Sequence, residues 1–174
     1  MIFYLASMSQ EINLNKSDLI EFFIHHLNKV YSAKTHLLRK LPEILFQVQF
    51  EDLESAIHET IEIVQNQRKR MELIYQILGV DIATGSVNGL EALINESFED
   101  IKTHQENPEL RDMSIMFYMT NIEAMEMASF QVLQLLSVKI GNEKIKALIK
   151  ENYDEAQSDK ALLLLITTKY LTTV

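Results

Sequence analysis

Apolar residues recur every three or four positions along most of the chain, in long stretches broken by short polar links. Ile20, Phe23, Leu27, Val30, Leu37 and Leu41 form the first such row, the spacing that places side chains on one face of an α-helix. It predicts a helix from about residue 19 to the mid-40s, capped by Ser17 or Asp18, with Pro42 kinking it or ending its straight part. Leu53, Ile57, Thr60, Val64, Gln67, Met71, Ile74 and Leu78 repeat the pattern, which predicts a second helix over roughly 51–78 that stops at Gly79, a residue suited to the left-handed C-cap. The link between the two is short, so they are expected to lie antiparallel.

The texture then changes. The segment GVDIATGSVNG (79–89) holds three of the four glycines, and a shorter amphipathic stretch over about 88–104 follows, with Leu90, Leu93, Ile94, Phe98 and Ile101. Asn107-Pro108-Glu109 then opens a third long helix, over about 108–137, with a cap, a proline in the first turn and an acid beside the positive helix end. It presents Met116, Met119, Glu123, Glu126, Phe130 and Leu133; after Gly141-Asn142 a fourth, over about 142–171, presents Ile145, Leu148, Asn152, Glu155, Asp159, Leu162 and Ile166. The terminal TTKYLTTV reads as a frayed tail. The 28 residues from Val80 to Asn107 suffice to return along a bundle, so the expected fold is all-α: a ferritin-like four-helix bundle with a long crossover containing a short fifth helix.

Composition sharpens this picture. With 174 residues, 47% of them hydrophobic, the chain is long enough for one core, and the expectation is a loose tail over 1–16 and a single bundle domain over 17–172. Four glycines and two prolines leave few helix breakers. A net charge of −9 argues against nucleic acid as a partner, because phosphate binding needs clustered Lys and Arg; the short basic runs at 29–40 and 68–70 read as solvated faces. The absence of cysteine removes disulfide, thiolate and thiol chemistry and is compatible with the cytoplasm. The opening MIFYLASMSQ has too short an apolar run for a signal peptide or a membrane span, so no membrane partner is expected; Met8 is an alternative start.

Each long seam turns polar at its own middle: Lys34 on the first helix, Thr60 and Gln67 on the second, Glu123 and Glu126 on the third, Asn152, Glu155 and Asp159 on the fourth. In antiparallel helices of similar length the midpoints meet, so these eight are expected to form one polar layer inside an apolar core. Carboxylates at a shared depth require cations, protons or water. Bundles of this topology often meet that need with two metal ions held by carboxylates and Glu-x-x-His pairs. Here His25, His26, His36, His58 and His104 all fall away from the layer's facing positions, and helices one and two offer it no acid.

At these residues the chain resembles the YciF/YciE-like family of bacterial ferritin-like proteins, which is associated with stress responses and has no defined activity. YSAKTHLLRKLP is similar to its first-helix pattern Tyr-x-Ala-Glu followed by Leu-Pro, and QNQRKRMELIYQILG to its second-helix ending. NGLEALINES is similar to its crossover helix, IEAMEMASF to its third-helix Glu-His-Tyr-Glu-Ile-Ala-x-Tyr, and the spacing of Glu155 and Asp159 to its fourth. The likeness spans about 20–170. It implies a homodimer, and it implies that a metal-binding Glu of the family falls on Lys34, a His on Thr60, a Glu on Ile63 and a His on Ala124, while Gln67, Glu123, Glu126, Glu155 and Asp159 stand at matching positions.

The resulting expectation is a non-catalytic, stress-associated member with a degenerate di-metal site, in which the Lys34 ammonium supplies charge that a metal would otherwise supply and no cofactor is needed. One cation against four acids leaves some acids protonated or outside, with Asp159 and Glu126 the candidates for the wetter edge. The rival is a di-iron or di-manganese protein for oxidation or peroxide chemistry that uses Glu123, Glu126, Glu155 and Asp159 as ligands. Plainer readings stand beside these: Lys34 snorkelling to solvent, Glu123 and Glu155 in structural ion pairs, and Met113, Met116, Met119, Met125 and Met127 as core filler. A reactive Lys34 forming a Schiff base is a further enzyme reading.

Overall fold

The computed structural model describes residues 14–83 and 89–173; the expectations for Met8, for the tail before residue 14 and for 84–88 lie outside them. Five helices follow in order: α1 (Lys16–Leu45), α2 (Glu51–Leu78), α3 (Gly89–Lys102), α4 (Pro108–Ile140) and α5 (Glu143–Thr173). The described residues contain no strand. The four long helices form a ring in which α1 packs on α2 and α4, and α5 packs on the same two; α3 lies across α1 and α4.

Contacts along neighbouring helices run in opposite senses. Thr60 meets Asp159, Gln67 meets Asn152 and Asp52 meets Lys169, so α2 and α5 are antiparallel; Tyr31 against Glu72 and Lys34 against Glu126 tie α1 to α2 and to α4.

Helix ends follow local chemistry, with two departures from expectation. The first helix starts earlier than its apolar row implies: Asn15 is the cap, its side chain accepting from Asp18 N at 3.0 Å while Asp18 returns to Asn15 N at 3.3 Å. Asp18 thus completes a capping box instead of being the cap, and Ser17 lies in the first turn. The last helix continues to Thr173, so most of TTKYLTTV is helical; Tyr170 anchors it, packing on Phe50 and donating to the Glu109 carbonyl. Gly79 (φ 65°) and Gly141 (φ 74°) close α2 and α4 in the left-handed conformation, where a Cβ is penalised. Pro42 sits in the last turn of α1 without ending it.

Two apolar clusters fill the bundle. One, at the α3 end, contains Leu37, Leu41, Leu53, Ile57, Val64, Phe98, Ile115, Met116, Met119 and Leu163. The other contains Phe23, Leu27, Val30, Met71, Ile74, Tyr75, Phe130, Leu133 and Ile149. Between them, at mid-height, lie the buried polar side chains.

Candidate functional site

Seven of the eight residues placed in the polar layer by their spacing are buried: Lys34, Thr60, Gln67, Glu123, Glu126, Asn152 and Asp159. Lys34 has no exposed surface, so it does not snorkel. Its Nζ donates to Glu126 Oε2 at 2.5 Å and lies 5.5 Å from the centre of the Phe130 ring. The ammonium therefore has a carboxylate on one side and an aromatic face, which carries partial negative charge, on another.

Thr60 donates to Asp159 Oδ2 at 2.9 Å, with Oδ1 at 3.1 Å. Gln67 and Asn152 clasp each other through backbone: Gln67 Nε2 donates to the Asn152 carbonyl and Asn152 Nδ2 to the Gln67 carbonyl, both at 3.3 Å. These contacts weld α2 to α5 at the level where Lys34 welds α1 to α4.

Glu155 is the exception. It is 29% exposed and binds Arg70, whose Nη2 and Nη1 donate to its two oxygens at 2.5 and 2.7 Å. Arg70 also donates to Asn152 Oδ1 at 3.1 Å and lies 2.9 Å from Glu151. An arginine fork matched to a carboxylate is a stronger partner than a shared lysine deep inside, so Glu155 turns to the rim and leaves the proposed ligand set. The wetter edge is therefore Glu155, not Asp159 or Glu126, which are almost fully buried.

Electrostatics divide the remaining acids. Burial, reinforced by the neighbouring Glu126 charge, pushes the Glu123 carboxyl well above its ordinary value, against the opposing pull of Lys34. Burial also raises Asp159 to about 6, although the Thr60 hydroxyl and Lys34 favour its charged form. Glu123 Oε2, Glu126 Oε1 and Gln67 Oε1 are buried without a hydrogen-bond partner. Glu123 and Glu126 stand one turn apart on α4, so two acids and the Lys34 ammonium share one buried level.

The residues do not fit a pair of metal ions. His36 faces Asn95 at 2.7 Å and His58 is exposed, so neither histidine joins the layer. The Lys34 ammonium occupies one oxygen of Glu126. Among the described residues no three His, Asp or Glu side chains are grouped to hold an ion. Among the described residues the Lys34 side chain has no exposed surface, and two surface grooves of about 560 and 370 Å3 are lined by other residues.

Two residues in the framework escaped the sequence reading. Arg70 belongs to a basic run taken for a solvated face; the signal was the pair Glu151 and Glu155, one turn apart on the helix it faces. Asp112, 1% exposed, accepts from Phe50 N at 2.9 Å and Gln49 N at 3.2 Å, thereby tying the turn before α2 to the N-terminal part of α4. Nothing in its local pattern announces that contact.

Comparison with known proteins agrees with this architecture. The family described as Domain of unknown function (DUF892) matches residues 18–172. Protein YciF of Escherichia coli (strain K12) is 28% identical over 146 residues, covering 83% of this chain and 87% of its own. The crystal structure of the E. coli stress protein YciF superposes with a TM-score of 0.83 at 25% identity, covering 90% of this chain and 98% of that one. YcfI of Rhodopseudomonas palustris shares the fold, with a TM-score of 0.77 at 22% identity over 90% of this chain and 96% of that one. The fold is thus the ferritin-like helical bundle. No helix among the described residues is long and apolar enough to cross a membrane.

Proposed function

The chain belongs to the DUF892 family, and from that premise we propose that it is a non-catalytic, stress-associated protein whose bundle is closed by a fixed charge and a proton where related bundles place metal. The stress association rests on its similarity to the E. coli stress protein YciF. The observation that carries the rest is the Lys34 ammonium bonded to Glu126 in full burial, with Glu123 held towards its neutral form. A cation that is part of the chain needs no loading and leaves no open coordination position for oxygen or peroxide. The ordinary cost of burying acids is met internally.

One observation favours a second reading. Three acceptor oxygens, on Gln67, Glu123 and Glu126, lack a donor, and a metal ion seeks oxygens of that kind. In that reading Glu123, Glu126 and Asp159 hold iron or manganese for redox chemistry once Lys34 is displaced. Elemental analysis of the protein purified in the presence of iron and manganese separates the two. The proposed function expects no stoichiometric metal; one ion per chain, lost in Glu126→Gln, overturns it.

A further inference from the structure

Helix α3 shows what the seam between α1 and α4 accepts. It lies across both helices and adds Ile94, Phe98 and Ile101 to the core they share, with Ser32 donating to Glu91 and His36 meeting Asn95. Because α3 begins at Gly89, it fills the seam over one half of the bundle only. Beyond its first residues the seam continues as a groove of about 560 Å3, with Phe22, His26 and Lys29 on the α1 side and Met125, Ala128 and Val132 on the α4 side.

The chemistry of this groove is one-sided. From Met113 to Val138 the only charged residues of α4 are Glu123 and Glu126, both turned into the core, so the outer face of α4 gives the groove a wall without charge. Phe22 (49% exposed), Met125 (41%) and Val132 (51%) leave apolar surface against water. Among the described residues that line it there are one lysine and one histidine and no acid, in a chain of net charge −9. Lys29 stands one turn before Ser32, at the end of the groove where α3 starts. His26 is a turn further along and packs on Phe22, with ring centres 4.2 Å apart. Burial, then the charges of His25 and Lys29, pushes the His26 imidazole below its ordinary value, so near neutral pH the charge of the groove is that of Lys29. The groove of about 370 Å3 between α2 and α5 is the contrast, since it carries Asp52 and Glu59 as well as Lys169.

We propose that the groove between α1 and α4 binds a medium-chain fatty acid, one per chain, with the carboxylate at the Lys29 end and the alkyl chain running along α4 from Met125 towards Val132. Its volume lies within the range of small-molecule sites, which pair a mostly apolar lining with a few polar groups that orient the ligand. The stretch of α4 from Met125 to Leu133 spans about 12 Å, a narrow run between two helices that suits a linear chain. The alkyl chain covers the apolar side chains left exposed there and removes them from water, as Ile94 and Phe98 do in the other half of the seam. The carboxylate meets Lys29 in a charge-assisted contact, and a neutral His26 ring offers an N–H as a second donor. Charge selects this ligand among amphiphiles: an alkylammonium sets like charge against Lys29, and an alcohol forgoes the charge-assisted bond.

Titration calorimetry of the full chain, stripped of lipid, with decanoate below its micelle-forming concentration is expected to show one saturable site per chain. Decanol and decylammonium are expected to bind the same protein about tenfold more weakly; this comparison needs no variant to fold. Lys29→Gln is expected to lower the affinity for decanoate about tenfold and to leave that for decanol unchanged. Ala128→Trp, which fills the groove from its exposed wall, is expected to abolish the site, while Leu165→Trp, in the groove between α2 and α5, leaves it intact. Absence of a saturable site, as when another part of the chain or a second copy occupies the groove, overturns the proposal. So does decanoate binding that survives Ala128→Trp, that is indifferent to Lys29→Gln, or that decylammonium equals. Co-sedimentation with phosphatidylcholine or phosphatidylserine vesicles, lost in Ala128→Trp and without decanoate binding, overturns it in favour of a membrane surface.

Discussion

Lys34 Nζ and Glu126 Oε2 stand 2.5 Å apart with neither side chain reaching solvent, an ion pair that joins residues 92 positions apart in the chain. A pair of this kind contributes little relative to well-packed apolar residues, but half of it is costly to keep. Lys34→Met leaves a buried carboxylate without its cation and is expected to lower stability by about 3–5 kcal/mol. Adding Glu126→Gln removes the stranded charge and is expected to recover most of that loss. A double-mutant cycle from urea denaturation measures the coupling. Equal losses in the single and double variants would show that the pair does not act as a unit.

Reversing the charge asks a different question of the same position. Lys34→Glu adds a carboxylate to a layer that already holds Glu123, Glu126 and Asp159, and removes its cation. The variant is expected to melt well below the wild type, and manganese or iron is expected to raise its melting temperature while leaving the wild type unchanged. Thermal scans with and without metal check this; a wild type stabilised by metal as strongly as the variant contradicts the proposed function.

Asp159 predicts a dependence on pH. Its carboxyl titrates from an ordinary value of 3.8 in the unfolded chain to about 6 in the fold, so between those values the native state binds more protons than the unfolded state. Stability from this group is complete below the unfolded value and is lost as pH rises through 6. The shift corresponds to about 3 kcal/mol at most. Glu123, raised by burial as well, acts in the same direction. Asp159→Asn retains an acceptor for Thr60 and is expected to be the more stable form at neutral pH and to lose its advantage near pH 4. Urea midpoints of the two proteins across that range give the difference directly; a difference that does not vary with pH removes Asp159 as its source.

How much of this could be read from the residues alone follows from the range of each interaction. Gly79, the Asn107-Pro108 start and the seams of α1 and α2 are local signals, and the helices end within a few residues of where those signals put them. The convergence of Lys34, Thr60, Gln67 and Glu123 at one level also follows from spacing, because antiparallel helices of equal length bring their middles together. Spacing places Glu155 in the same row. It cannot see that Arg70, on another helix, offers a two-pronged partner at the rim. Burial of Asp159 and Glu126 depends likewise on which neighbours cover them. The outer face of α4 was visible as a run without exposed charge only after Glu123 and Glu126 were known to point inward.

The contact least visible in the sequence makes the last prediction. The first helical turn of α2 lacks a side-chain cap of its own, since Phe50 holds the cap position. Asp112 acts just before that turn from α4, taking the N–H groups of Phe50 and Gln49, while the adjacent Arg111 donates to the Gln47 and Gln105 carbonyls at 2.5 and 3.2 Å. Two consecutive residues thus pin the α1–α2 turn to the start of α4. Asp112→Ala strands two backbone donors in a partly buried turn and is expected to cost about 2 kcal/mol. Asp112→Asn keeps an acceptor oxygen and is expected to cost less than half as much. Hydrogen exchange supplies the local reading: protection at Gln49 and Phe50 should fall in Asp112→Ala while the middle of α2 near Thr60 changes only with global stability. Unaltered protection at those two amides would mean that the turn is held by its packing against Tyr170 rather than by the carboxylate.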